Sequence, residues 1–259
     1  MIEIKNIYKE FIIEKNFWGK PLRKLQALNN INLNIYDNEI LALVGESGSG
    51  KSTLARAVLR LIDIDRGKIF YNGKNIFEFN KIELLNFRKE VQIIFQDPYS
   101  SLNPKYKIRR ILEEVLWVHG LKCKKEIEYE IDRVIANVGL NKNDLNKYPH
   151  EFSGGQKQRI VIARSLLLKP KFLVADEPVS ALDVSVQAQI LNLLLDLKDY
   201  YKFSMLFISH DLSVVYYIAD RVAVMNKGSI VEIGEKQEVY ESPKHDYTKK
   251  LLKSIFEIS

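Results

Sequence analysis

A single cysteine, Cys123, occurs in the whole chain, set among Lys122, Lys124 and Lys125. One thiol builds neither a disulfide framework nor a cysteine metal cluster, so Cys123 reads as an incidental surface thiol. Long apolar runs are also missing. No stretch approaches the ~18 to 20 residues that span a bilayer, and the N-terminus, MIEIKNIYKE, has no apolar signal region. These absences predict a cytosolic chain. There is no internal repeat and no low-complexity tract. The formal charge of +6, from 39 basic and 33 acidic residues, sits on scattered lysines. Without an arginine-rich stripe or an aromatic-interleaved RNA motif, it argues against nucleic acid as a partner and for a solvated exterior or a membrane-apposed face. What is present is 259 residues, 46% hydrophobic and 28% charged, enough for one large domain with a subdomain inserted.

The most informative segment is LALVGESGSGKST, residues 41 to 53. Four apolar strand residues run into Gly45, Glu46, Ser47, Gly48, Ser49, Gly50, Lys51, Ser52 and Thr53, the pattern GxxxxGK[ST], and a helix-forming stretch follows. Gly45, Gly48 and Gly50 let the backbone turn tightly so that successive N–H groups point into one concavity that fits a polyphosphate. Lys51 would reach the β- and γ-phosphates, the Ser52 hydroxyl would ligate Mg²⁺, and the following helix would present its positive end to the same anion.

Along the chain, strand-like runs at 2–8 and 27–36 flank a polar and aromatic insertion that includes Phe17 and Trp18. They predict an antiparallel edge. Asp37-Asn38 signals a turn before a buried strand at 40–44 and an amphipathic helix at 51–61. Asn72-Gly73 signals another turn after 68–71. Residues 91–95, VQIIF, read as a strand, and from Asp97 to about Leu168 the spacing turns helical. Strand and helix then alternate: strands at 172–175, 205–208, 222–225 and 230–233, helices at 184–200 and 212–218. This alternation predicts an α/β fold whose mainly parallel sheet is covered on both faces. The expected division is a core at 1–96 and 171–235, an inserted helical subdomain at 97–170, and a short helical tail at 236–259.

Two further constellations carry chemistry. Phe172 to Glu177, FLVADE, is an apolar strand ending in two carboxylates, where open α/β sheets bind ligands. Asp176 would hold Mg²⁺ and Glu177 would polarise an attacking water; alternatively, both merely end the strand and cap the next turn. Ser153, Gly154, Gly155 and Gln156 open a predicted helix, which makes either a second anion site or an ordinary helix cap.

In order, GESGSGKST, Gln96, FSGGQKQR, FLVADEP, SALD and ISHD resemble the nucleotide-binding subunit of ATP-binding cassette (ABC) transporters over essentially the whole chain. The resemblance implies a P-loop NTPase core and further roles. Gln96 would contact Mg²⁺ and the water. Ser153 and Gly155 would bind the γ-phosphate held by a partner subunit, which Asp183 would touch across the interface. His210 would clamp γ-phosphate and water, and Phe11 stands where an aromatic stacks on adenine, a role Phe17 or Trp18 could take instead. His119, His150 and His245 match no such role.

FQDPYSSLNP, YPHEFSGGQ, VSALDVSVQAQ and SPKHDYTKKLL look like the ATPase subunits of oligopeptide, dipeptide and nickel importers, closest to their second, F-type subunit. That group implies ATP and Mg²⁺ as cofactors and a second, different ATPase chain as partner. It further implies two integral membrane permease subunits, an external solute-binding protein, and a peripheral place on the cytoplasmic face of the membrane. The cargo it implies is peptide, with nickel or another metal chelate as the alternative. Asp37-Asn38 departs from the usual glycine before Glu39. The cysteine-rich extension of some relatives is missing, so no iron–sulfur cluster is expected. Two other readings stay open: a soluble cassette ATPase of translation or DNA repair, and a non-hydrolysing ATP sensor, against which Glu177 and His210 argue.

Overall fold

The N-terminal segment builds an antiparallel ribbon. In the computed structural model, which describes residues 2–15, 21–97 and 101–256, strand β1 (Ile2–Lys15) pairs with β2 (Pro21–Ile35). Both strands are longer than their apolar stretches predict. Ile2, Ile4, Ile7, Leu28, Ile31 and Leu33 are buried, whereas Ile12, Ile13, Leu22 and Leu25 at the far end are exposed. Backbone pairing, not burial, carries the extension.

The turn after β2 explains one departure noted in the sequence. Asn38 sits in the left-handed region at φ 59°, which asparagine tolerates far better than most side chains. The buried carboxylate of Glu39 beside it accepts the N–H of Tyr36 and pairs with Arg221 at 3.2 Å through both oxygens. Strand β3 (Ile40–Val44) is buried at every position, each large apolar side chain contributing roughly 1.5 to 3 kcal/mol. Helix α1 (Lys51–Val58) follows, then β4 (Arg66–Tyr71) and β5 (Lys74–Asn75), joined by the predicted Asn72-Gly73 turn. The ribbon's sheet has the order β2-β1-β4-β5.

The chain forms two compact units, the first comprising the described residues up to Leu84 and from Leu206 onward, the second Leu85–Met205. Helix α2 (Lys81–Glu90) leads from one to the other. In the second unit, β6 (Val91–Ile94) pairs in parallel with β7 (Phe172–Asp176). Between them in sequence come α3 (Ile108–Val118), α4 (Lys124–Asn137) and α5 (Gly154–Leu166). Apolar residues at helical spacing, among them Ile111, Leu112, Ile131, Val134, Val161 and Ile162, are buried there. Helix α6 (Val184–Tyr201) completes the unit.

Strand β8 (Ser204–Ile208) and helix α7 (Leu212–Ile218) return the chain to the first unit. There β9 (Arg221–Asn226) lies parallel to β3, in register from Leu41↔Arg221 to Val44↔Val224, and β10 (Ser229–Glu235) lies antiparallel to β9. Helices α8 (Lys236–Glu241) and α9 (Asp246–Phe256) end the described chain.

Candidate active site

In the first unit, β3 delivers the chain into the glycine-rich loop. A Cβ on Gly45 (φ 151°) would lie 2.1 Å from the Met225 carbonyl oxygen, and one on Gly50 (φ 110°) 2.4 Å from that of Ala27. Both positions exclude any side chain. Gly50 is the N-cap of α1 and brings no capping side chain, so the positive end of the helix is left to an anion. Lys51 is buried, and its ammonium donates to the carbonyl oxygens of Gly45 at 2.7 Å and Glu46 at 2.9 Å. The buried Ser49 hydroxyl has no hydrogen-bond partner. An orphaned hydroxyl, a buried ammonium and a helix start without a side-chain cap fit a phosphate group. Glu46, Ser47 and Gly48 are exposed on the loop, and Ser52 and Thr53 are half-buried in the first turn of α1.

Two other predicted residues belong to this unit. His210 is exposed between β8 and Asp211, whose carboxylate caps α7 by accepting the N–H groups of Ser213 and Val214. Phe11 is an exposed ring on β1 with the Lys9 ammonium 5.5 Å from its centroid. Phe17 and Trp18, the alternative aromatics, lie outside the described residues.

In the second unit the two acids differ. Asp176 is the buried last residue of β7. Glu177 is half-buried in the left-handed region at φ 48°, a conformation that costs a non-glycine residue about 1 to 3 kcal/mol and concentrates at functional sites. The structure brings Gln96 to it, the side-chain amide donating to Glu177 Oε2 at 3.0 Å.

Ser153 caps α5 through a reciprocal pair of bonds. Its Oγ accepts the Gln156 N–H at 3.4 Å, and Gln156 Oε1 accepts the Ser153 N–H at 3.1 Å. The turn is thus a helix cap whose serine stays exposed. The glycines here serve packing: a Cβ on Gly155 would meet Val186 Cγ1 at 2.5 Å, and one on Gly154 would meet Leu182 Cδ2 at 3.3 Å. Asp183, exposed at the N-cap of α6, makes no side-chain capping bond. Among the described residues no group of three or more His, Cys, Asp or Glu gathers to hold a metal. Magnesium bound to a nucleotide needs only one or two protein ligands beside phosphates and water.

One contact in the first unit escaped the sequence reading. The Glu46 N–H donates to the hydroxyl of Tyr247, 201 positions away, at 3.1 Å. The segment SPKHDYTKKLL marked the region, but nothing local in it points to the loop. Two of the three remaining histidines serve local structure: His150 stacks on Tyr148, and His245 Nδ1 accepts the Tyr247 N–H.

Comparison with known proteins agrees with these features. The family described as ABC transporter matches residues 28–180. An oligopeptide transport ATP-binding protein, OppF of Streptococcus mutans, is 49% identical over 98% of this chain and 81% of its own length. A dipeptide transport ATP-binding protein, DppF of Lactococcus lactis, is 49% identical with the same coverage. Among solved structures, the dimeric ATP-binding cassette MJ0796 in a post-hydrolysis state with ADP and phosphate superposes with a TM-score of 0.79. It is 26% identical over 91% of this chain and 99% of that one.

Proposed function

The chain belongs to the ABC transporter family and is an ATP-binding, transport-coupled ATPase subunit of the importer type, and on that premise we propose that it powers peptide uptake. The relatives are oligopeptide and dipeptide transport proteins, which favours peptide over a nickel chelate. Among the described residues no helix is long and apolar enough to cross a membrane. As a member of an importer family, the chain works with membrane permeases, which we take to be two separate subunits, fed by an external solute-binding protein. It sits at the cytoplasmic face, with the helical stretch 97–170 as the docking region. The dimer of MJ0796 supports pairing with a second ATPase chain, here a different but related one.

The observation that carries the site is the glycine loop, where Lys51 is buried and Ser49 Oγ lacks a partner. Residues 45–53 cradle the phosphates, and Lys51 supplies the charge that meets the β- and γ-phosphoryl oxygens. Bound Mg²⁺ would neutralise charge on the same oxygens, with Ser52, Asp176 and Gln96 the residues to hold it. Phe11 stacks on the adenine. Glu177 takes a proton from the attacking water while the Gln96 amide holds its carboxylate in place, and His210 secures the γ-phosphate. Ser153, Gly154, Gly155 and Gln156 address the nucleotide of the partner, and Asp183 addresses the partner itself. Nucleotide closes the pair and hydrolysis releases it, which moves the permeases.

Glu177→Gln tests the chemistry, because it keeps the shape of the side chain and removes the base. Turnover at this chain's site falls by about 10²- to 10⁴-fold while ATP binding persists, so the assembled pair accumulates in its closed, ATP-loaded form. Near-normal single-site turnover would remove Glu177 from the role. Uptake by the reconstituted importer of labelled peptide, and not of a nickel chelate, checks the cargo.

A further inference from the structure

None of the roles above uses the C-terminal segment, yet its docking is specific. On β10, Glu232 accepts the N–H groups of Lys244 at 2.8 Å and His245 at 3.0 Å, one on each carboxylate oxygen. That fixes the turn before α9, where Thr248 and Leu252 are buried. Tyr247 stands in the first turn of this helix, and its hydroxyl accepts the N–H of Glu46 in the phosphate loop at 3.1 Å.

The peptide unit joining Gly45 to Glu46 is therefore held on both edges. Its carbonyl oxygen accepts from the Lys51 ammonium at 2.7 Å, and its N–H donates to Tyr247. A trans peptide is a rigid plane with C=O and N–H on opposite edges, so turning this plane breaks both bonds together. The next carbonyl, that of Glu46, accepts from Lys51 at 2.9 Å and from the Ser49 N–H at 3.2 Å. Residue 46 is thus the point where the C-terminal helix, the lysine and the loop meet. Gly45 itself restrains nothing by side chain, and glycine moves readily between backbone wells. The clamp supplies the order that this residue lacks. Burial pushes the Tyr247 phenol above its ordinary pKa, so it serves as a neutral acceptor at physiological pH.

We propose that Tyr247 is a positioning residue for the phosphate loop: by fixing the Gly45–Glu46 peptide it sets the carbonyl that orients Lys51, and it ties nucleotide affinity to docking of the C-terminal segment. The inference rests on the reading of this loop as the ATP site.

Tyr247→Phe in the full chain removes the hydroxyl and keeps the ring. Without nucleotide, amide hydrogen exchange at Glu46, read by NMR, accelerates by about 2- to 13-fold, as expected for one hydrogen bond, while the urea midpoint stays near wild type. In the assembled ATPase pair the loss falls on KM for ATP by a similar factor, with kcat little changed. Glu232→Gln, which weakens the anchor without touching the loop, shifts Glu46 exchange in the same direction and keeps the test open should Tyr247→Phe misfold. Unchanged Glu46 exchange in both variants overturns the clamp. Faster exchange with unchanged ATP affinity overturns its role in positioning Lys51. Lys51→Ala, measured in parallel, separates the two levels: if it too left ATP binding intact, the fault would lie in reading the loop as the ATP site.

Discussion

Helices α1 and α5 both start from glycine-rich turns, but Gly50 begins α1 with no capping side chain whereas Ser153 and Gln156 close a complete capping box on α5. The glycines differ in the same sense. Gly45 and Gly50 have positive φ and press against backbone carbonyls, while Gly154 and Gly155 are helical and press against side chains. Around α1 a hydroxyl is left without a partner and a lysine is drawn inside. Around α5 the serine is exposed, and its cap bond, at 3.4 Å, is longer than a usual N–H···O bond and yields readily to a stronger acceptor. The first turn thus leaves open groups that fit an anion. The second is satisfied by itself and offers its hydroxyl outward. The two-subunit site proposed above pairs one enclosing turn with one presenting turn.

The largest expected effect breaks the comparison at its backbone. Gly45→Ala adds a Cβ that has no room at positive φ, costing about 1 to 3 kcal/mol for overpacking and about 1 to 3 more for strain. Gly154→Ala, in a helix and against the end of a leucine side chain, stays within ~1 kcal/mol in either direction. Urea denaturation of both variants decides, and equal losses would mean that the two turns are built alike.

The next effect concerns binding. Lys51→Ala removes a charged contact that typically supplies about 1.5 to 3 kcal/mol, so the isolated chain binds ATP roughly 10- to 150-fold more weakly. Ser153→Arg leaves that binding intact and instead stops hydrolysis at the partner's site, as site-resolved nucleotide trapping in mixed pairs should reveal. Loss of ATP binding by the isolated Ser153→Arg chain would end the two-subunit reading. The smallest effect sharpens the cap itself: Ser153→Ala lowers stability by ~1 kcal/mol, and Ser153→Asp, an equally good N-cap, restores it. The midpoint of chemical unfolding measures both.

Elements bounded by sharp punctuation were legible from residue order alone. Residues 40–44 and 212–218 fall where their apolar pattern places them; the Asp37-Asn38 turn marks the start of the first, and in the structure Asp211 caps the second. The far ends of β1 and β2 were not, since Glu10, Lys24 and Arg23 mix with exposed Ile12 and Leu25 and leave no alternation to read. Helix α2 escaped notice for a similar reason: Phe87 is its one buried residue among those described, too little to write a stripe. At the site, each residue type could be placed by motif. The left-handed backbone of Glu177, its bond to Gln96, and the grip of Tyr247 on Glu46 could not, because they depend on chain segments brought together from far apart.

The near-contact between Gly155 and Val186 has a mechanical consequence. With 2.5 Å between Val186 and the place a Cβ would take, the first turns of α5 and α6 meet without slack, and close-packed interiors transmit displacement instead of absorbing it. The Ser153 turn and the Asp183 turn then behave as one stiff part, so a push of a fraction of an ångström at either is felt at the other. A gear tooth cut to that tolerance needs no separate wire to carry its signal.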